Sequence, residues 1–168
     1  MSQVAIEKVD ERKLGIAPIF QEIDALYERI RQRAFEIFEG HHGGNGFAME
    51  DWLTAKRDLL SSCESDFLEQ DGKFDVRMSA PGFEPGEVKV TVLPDALIVC
   101  AESSQQHENK EGKVRFCELG RKTLFRRFVL PEPIDLDKVT ADLSKGVLHL
   151  AAAKAKQKAA SKPKAIAA

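Results

Sequence analysis

"VTADLSKGVLHL", residues 139–150, reads as two short strands around a tight turn. Side chains alternate along a strand, so Val139, Ala141 and Leu143 share one face. Ser144, Lys145 and Gly146 are expected to form a three-residue loop with Gly146 left-handed at its last position. Any side chain there costs about 1–2 kcal/mol. Val147 and Leu148 open the return strand. Ala141 is small at an inward position, which lets another group pack close.

The same two-residue period extends upstream from about Asp66. In "KFDVRMS", Phe74, Val76 and Met78 alternate with Lys73, Asp75 and Arg77. In "EVKVTV", Val88, Val90 and Val92 alternate with Glu87, Lys89 and Thr91. "ALIVCA" is continuously apolar and expected to be buried on both faces, and "KTLFRRFVL" follows as a further strand. Asp71-Gly72, Pro81-Gly82, Pro85-Gly86 and Pro94-Asp95 punctuate these runs. Many short strands at such spacing predict an all-β core, a sandwich or a barrel. No helical segment intervenes, which argues against a parallel α/β sheet.

Before Asp66 the period is helical. Ile19, Ile23, Leu26, Ile30, Ile37 and Phe38 recur at three- and four-residue steps, one face of an amphipathic helix from Pro18 to Gly40. A second helix is expected in "MEDWLTAKRDLLSS", with Trp52, Leu53, Lys56, Leu59 and Leu60 near one another. The chain therefore divides into a helical N-terminal arm at 1–63, a β domain at 64–153 and a flexible Lys/Ala-rich tail at 154–168.

Composition narrows the function. A net charge of −2 gives no general reason to expect nucleic acid or an anionic membrane as partner. The tail lysines Lys154, Lys156, Lys158, Lys162 and Lys164 have no aromatic neighbours for base stacking, so they read as a solubilising tail. Cys63, Cys100 and Cys117 are odd in number and widely spaced, which argues against disulfide frameworks and structural zinc. His41-His42 lacks a third ligand at suitable spacing, so no metal and no cofactor are expected. The N-terminus does not read as a secretory signal and no stretch is long and apolar enough for a membrane span; the cytoplasm is the expected compartment. No P-loop, dinucleotide fingerprint or nucleophile elbow occurs, and no enzyme is expected.

Three motifs in order carry a resemblance: "APGFEPGEVKVTV", "FRRFVLP" and A-x(4)-G-V-L. Together, Pro81, Gly82, Ala141, Gly146, Val147 and Leu148 make the chain resemble the α-crystallin domain of small heat-shock proteins of bacterial type, over about residues 64–153. The resemblance implies an immunoglobulin-like antiparallel β-sandwich. It implies a homo-dimer by strand exchange, with Val114, Phe116, Cys117 and Leu119 of "KVRFCEL" on the crossing strand, and a higher oligomer built from it. It implies an interface ion pair from Arg126 or Arg127, although exposed arginines contribute only about 0–1 kcal/mol and at least one is expected to be solvated. Family tails dock through an I-x-I/V motif; here only "AIA" with Ile166 is present, so docking is expected to be weak or absent. "RAFEIFEG…DWLTAKRDL" is similar to a short helical segment of bacterial proteins of undefined role.

The activity implied is ATP-independent holding of unfolded client proteins, which keeps them out of aggregates. Two surfaces are candidates for clients or neighbouring subunits. One is an edge groove lined by Val88, Val90, Val92, Val139, Ala141 and Leu143; the competing reading is that these residues fill the core. The other is the apolar face of the N-terminal helix, which packs either on a partner or on its own sandwich. A co-chaperone or adaptor sandwich that binds one folded partner is the alternative. A thiol- or histidine-based enzyme using Cys117 or His107 ranks last.

Overall fold

A computed structural model of the chain describes residues 2–10, 12, 18–41, 47–103 and 122–156. The period-two runs form two sheets that face each other, the sandwich of the two architectures their spacing allowed. One contains, in order, β1 (Ser2–Gln3), β8 (Ile134–Ser144), β9 (Val147–Lys154), β4 (Lys73–Ser79) and β3 (Ser65–Gln70). The other contains β2 (Ala5–Lys8), β5 (Val88–Leu93), β6 (Ala96–Ser103) and β7 (Lys122–Val129). The core between them holds Phe74, Val76 and Met78 of β4 against Val88, Val90 and Val92 of β5, as the alternation requires.

The closing hairpin is tighter than expected. Ser144 pairs with Val147, so Lys145 and Gly146 form a two-residue turn and Ser144 belongs to the strand. Both turn residues have positive φ, 50° and 74°, the geometry whose twist matches a β-hairpin. The Ala80 N–H donates to the Gly146 carbonyl at 2.8 Å, which ties this turn to the end of β4 beside Pro81.

Four further features differ from the sequence reading. Residues 2–8 of the expected helical arm form strands, one of them, β2, parallel to β5. β3 lies outside the expected strands: five of its six residues are exposed, with no alternation of burial. Its Phe67 ring stacks on Phe74 of β4 at 5.6 Å. Lys154 closes β9 and pairs with Glu132 at 2.8 Å and with Glu69, so the ordered domain extends past the expected boundary at 153. In the second helix Leu53 points to solvent, while Ala55 takes the buried place.

Helix α1 (Pro18–Gly40) has the expected bounds. Its Ile19 packs with Leu93, Ala96 and Ile98 on the outer face of the second sheet. This explains the continuous apolar run of β6: Leu97 and Val99 face the core, while Ile98 faces the helix. Leu26 and Ile30 then meet Ala55 of α2 (Ala48–Leu59) in a third apolar cluster.

Candidate functional site

The six groove residues come together at the side of the sandwich where β5 and β8 are the neighbours of the short N-terminal strands. All six are buried in the main core. They face the core between the two sheets, so the reading that they fill the core holds, and residues 2–9 close the edge beside them. β1 pairs antiparallel with β8, Ser2 opposite Leu143 and Gln3 opposite Asp142. The chain then crosses to the other sheet, where β2 runs parallel to β5, Ala5 opposite Lys89 through Lys8 opposite Val92. Val4 sits at the crossing, only 5% exposed, and its N–H donates to the Ala141 carbonyl at 3.1 Å. The small inward residue of the closing hairpin therefore has its close neighbour in Val4. Ile6 packs at the margin of the same core, and Val9 is buried with Ile19 in the layer beneath α1.

A cation secures this arrangement. Lys89 Nζ lies 3.0 Å from Glu7 of β2 and 2.9 Å from Glu22 of α1. Burial pulls the Lys89 ammonium down, the bonds from Glu22 and Glu7 push it up, and the net direction is up. Lys8 makes a second, more exposed pair with Asp137 of β8 at 2.8 Å.

Of the second predicted surface, Ile19, Leu26 and Ile30 are buried and Ile23 and Ile37 half-buried, turned onto the chain's own sheet and α2. Phe38 is half-buried and stacks on Phe35 at 6.4 Å. The fit over the sheet is loose: a cleft of about 500 Å³ runs between α1 and the second sheet, lined by Glu22, Leu26, Arg29, Lys89, Cys100 and Phe125. Burial, with Glu22 next in effect, raises the Cys100 thiol to about 12, which makes it inert at neutral pH. The helix pair presents a different apolar set to solvent: Tyr27, Phe35, Phe47, Met49 and Leu53 are all exposed, Met49 by 70%.

Arg126 and Arg127 are exposed on the edge strand β7, and the Arg126 guanidinium lies 6.0 Å from the Phe128 ring centre. Val114, Phe116, Cys117 and Leu119 lie outside the described residues, as does Ile166. Among the described residues, no group of three or more His, Cys, Asp or Glu side chains is placed to hold a metal ion, and no helix is long and apolar enough to cross a membrane.

The motif residues fall on the elements that build this arrangement: Pro81-Gly82 follows β4, and Ala141, Gly146, Val147 and Leu148 form the closing hairpin. A family model described as Hsp20/alpha crystallin family matches residues 66–168. The chain belongs to the Hsp20/alpha crystallin family of small heat-shock chaperones. It is 30% identical over 152 residues to the chloroplastic heat shock 22 kDa protein of Chlamydomonas reinhardtii, covering 89% of this chain and 88% of that one. It is 32% identical over 110 residues to a 17.6 kDa class II heat shock protein of Arabidopsis thaliana, covering 64% of this chain and 70% of that one. Among solved structures it is similar to heat shock protein 16.0 of Schizosaccharomyces pombe, with TM-score 0.50, 26% identity, 64% of this chain and 99% of that chain covered. These relatives are algal, plant and fungal, so they give no support to the bacterial type expected from the sequence. A second model, of a protein family of unknown function, DUF2934, matches residues 25–61, across α1 and α2.

Sequence reasoning missed the residues that close the groove: Val4, Ile6, Val9 and the Glu7–Lys89–Glu22 cluster. A faint signal existed in "QVAIEKV", where Val4 and Ile6 alternate with polar or small neighbours.

Proposed function

We propose that this Hsp20-family chain is an ATP-independent holding chaperone that captures exposed apolar segments of unfolding proteins and keeps them from aggregating. The observation that carries the reading is the solvent-facing apolar set on the helix pair, Phe35, Phe47, Met49 and Leu53 beside Tyr27, on a small heat-shock sandwich. Large apolar side chains left facing solvent are candidate contacts for other apolar chains. Binding, with no catalysis, is the proposed activity. The β5/β8 groove and the buried face of α1 are reserve surfaces for clients and neighbouring subunits.

The proposed assembly is a homo-dimer by strand exchange. The exposed strand β3 ends its sheet, with no neighbour on its outer side among the described residues, and Phe67 and Leu68 are exposed along it. An incoming strand carrying Val114, Phe116, Cys117 and Leu119 would complete the main-chain ladder there. Arg126 and Arg127 are proposed for ion pairs across that dimer, and larger oligomers follow from it. The bacterial type and a cytoplasmic location remain proposals beside algal and plant relatives, one of them chloroplastic. Nucleic acid and membrane are not proposed partners.

The test is to heat an aggregation-prone substrate with the purified chain, without ATP, and follow its mass by light scattering. Suppression near one subunit per substrate by an oligomer supports the reading. A monomer that leaves aggregation unchanged overturns it.

A further inference from the structure

We infer that the start of α2 holds a recess for a guanidinium group, so that the apolar surface of the helix pair selects client segments carrying an arginine. The inference rests on the holding function proposed above and adds the class of segment held.

The recess lies where the end of α1 meets the start of α2. Ile37, His41, Phe47, Glu50, Asp51 and Thr54 line it, and its volume is about 600 Å³. The Asp51 N–H donates to the Phe47 carbonyl at 2.8 Å, which fixes Asp51 in the opening turn of the helix. The Asp51 side chain is only 6% exposed, and its Oδ1 lies 3.5 Å from His41 Nε2. Its Oδ2 is buried with no hydrogen-bond partner among the described residues. Burying a carboxylate oxygen without a donor is costly, and buried polar groups are as a rule paired. This one is placed to receive a donor from outside the chain.

The donor that fits is an organic cation. Glu50 brings a second carboxylate to the recess, and no lysine or arginine is among the described residues that line it. Arg33, one turn before Ile37 on α1, is taken by Glu36 at 3.0 Å and Asp58 at 2.9 Å. A metal ion does not fit, because among the described residues no three side chains are placed to hold one. Between the two cationic side chains, the apolar walls favour arginine. A guanidinium is less strongly hydrated than an ammonium, pairs with carboxylates through a planar fork and stacks on aromatic faces. Phe47 offers such a face: its ring is half in solvent and lies 6.3 Å from the His41 ring. Phe47 also belongs to the proposed client surface, with Met49 two residues further on. An arginine anchored at Asp51 would thus set its apolar neighbours against exposed apolar side chains.

The probes are three fluorescent peptides, GFLRVFG and its counterparts with glutamine or lysine in place of the arginine. Each is titrated into the full chain and into the full chain carrying Asp51→Asn. The unaltered chain should bind the arginine peptide about ten-fold more tightly than the glutamine peptide, the worth of a hydrogen bond to a charged group. Asp51→Asn, with unchanged near-ultraviolet circular dichroism, should reduce that preference to less than about two-fold. Equal binding of the arginine and glutamine peptides by the unaltered chain, or a preference that survives Asp51→Asn, overturns the recess. A lysine peptide that binds as tightly as the arginine peptide overturns the guanidinium as its occupant. Should the variant fail to fold, a photoreactive diazirine beside the arginine decides on the unaltered chain. Crosslinks between Phe47 and Thr54 support the site, and crosslinks confined elsewhere refute it. Aggregation suppression is read on the same samples. Suppression without an arginine preference removes the recess and leaves the holding function, while an arginine preference without suppression removes the holding function and leaves the recess.

Discussion

The N–H of Val4 donates to the carbonyl of Ala141 at 3.1 Å, joining the first buried residue among those described to the hairpin that closes the sandwich. The bond sets a small residue under an incoming strand. A larger side chain at Ala141, itself buried beside Val4, would have to displace that strand. Ala141→Leu is expected to cost about 1–3 kcal/mol by overpacking, read as a lower denaturant midpoint, with faster proteolysis of residues 2–9. Unchanged stability together with unchanged proteolysis would show that Val4 does not sit there.

Gly146→Ala should destabilise the domain by about 1–2 kcal/mol. Its φ is +74°, while the added methyl would meet Pro81 Cα at an ordinary 3.5 Å, so the cost is in the backbone. Gly86, where an added Cβ would find open space, is the control, and Gly86→Ala should stay within about 0.5 kcal/mol. Equal midpoints for the two variants would contradict the turn geometry.

Leu148→Ala, in the return strand of the same hairpin and fully buried, is expected to cost about 2–5 kcal/mol. Val129→Ala, on an exposed position of β7, should change stability by less than about 0.5 kcal/mol. Chemical denaturation of the pair measures the contrast directly.

Cys100 reports on α1. With its thiol raised to about 12, roughly one part in ten thousand is thiolate at pH 8, so iodoacetamide should label it slowly until the chain unfolds. Leu26→Asp places a charge in the buried contact between α1 and α2. It should loosen α1 and speed the labelling at least ten-fold without global unfolding. Rapid labelling of the unaltered chain would mean that the helix does not cover that sheet.

Lys89 gives the attachment of the N-terminal segment a pH signature. Its folded-state pKa is raised above the ordinary 10.5, so its contribution is complete below that value and is lost as pH climbs through the higher folded one. Proteolysis or exchange of residues 2–9 should therefore stay flat from this cause between pH 8 and 10 and accelerate above. Lys89→Met should show the loosened state at every pH. The size is modest, about 0–1 kcal/mol for each partly exposed pair, and high salt should mimic it. A Lys89→Met chain with unaltered exchange would remove the shared cation from the account.

Phe35, Phe47 and Met49 offer the direct test of holding. Their joint replacement by Ser should reduce aggregation suppression by more than half. Since all three are exposed, each change should move stability by less than about 0.5 kcal/mol. Full suppression by the triple variant would place client capture elsewhere on the chain.

The sandwich strands with one buried face are legible in the sequence. Phe74-Val76-Met78 and Val88-Val90-Val92 alternate, and a period of two permits only one way to hide such residues. The places of the turns are legible as well, because Gly146 and Gly72 stand where the chain needs positive φ, but the two-residue length of the closing turn is not. The apolar run of β6 told that both of its faces were covered, but not by what. That α1 lies there, that residues 2–9 close the β5/β8 edge, and that Lys89 joins Glu7 to Glu22 are set by the assembled fold. Val4 meets Ala141 across more than a hundred residues of chain, and three large apolar side chains in eight residues are too few to declare a strand locally. Such a segment acquires its conformation from the edges it joins. Those edges exist only once the rest of the sandwich has folded.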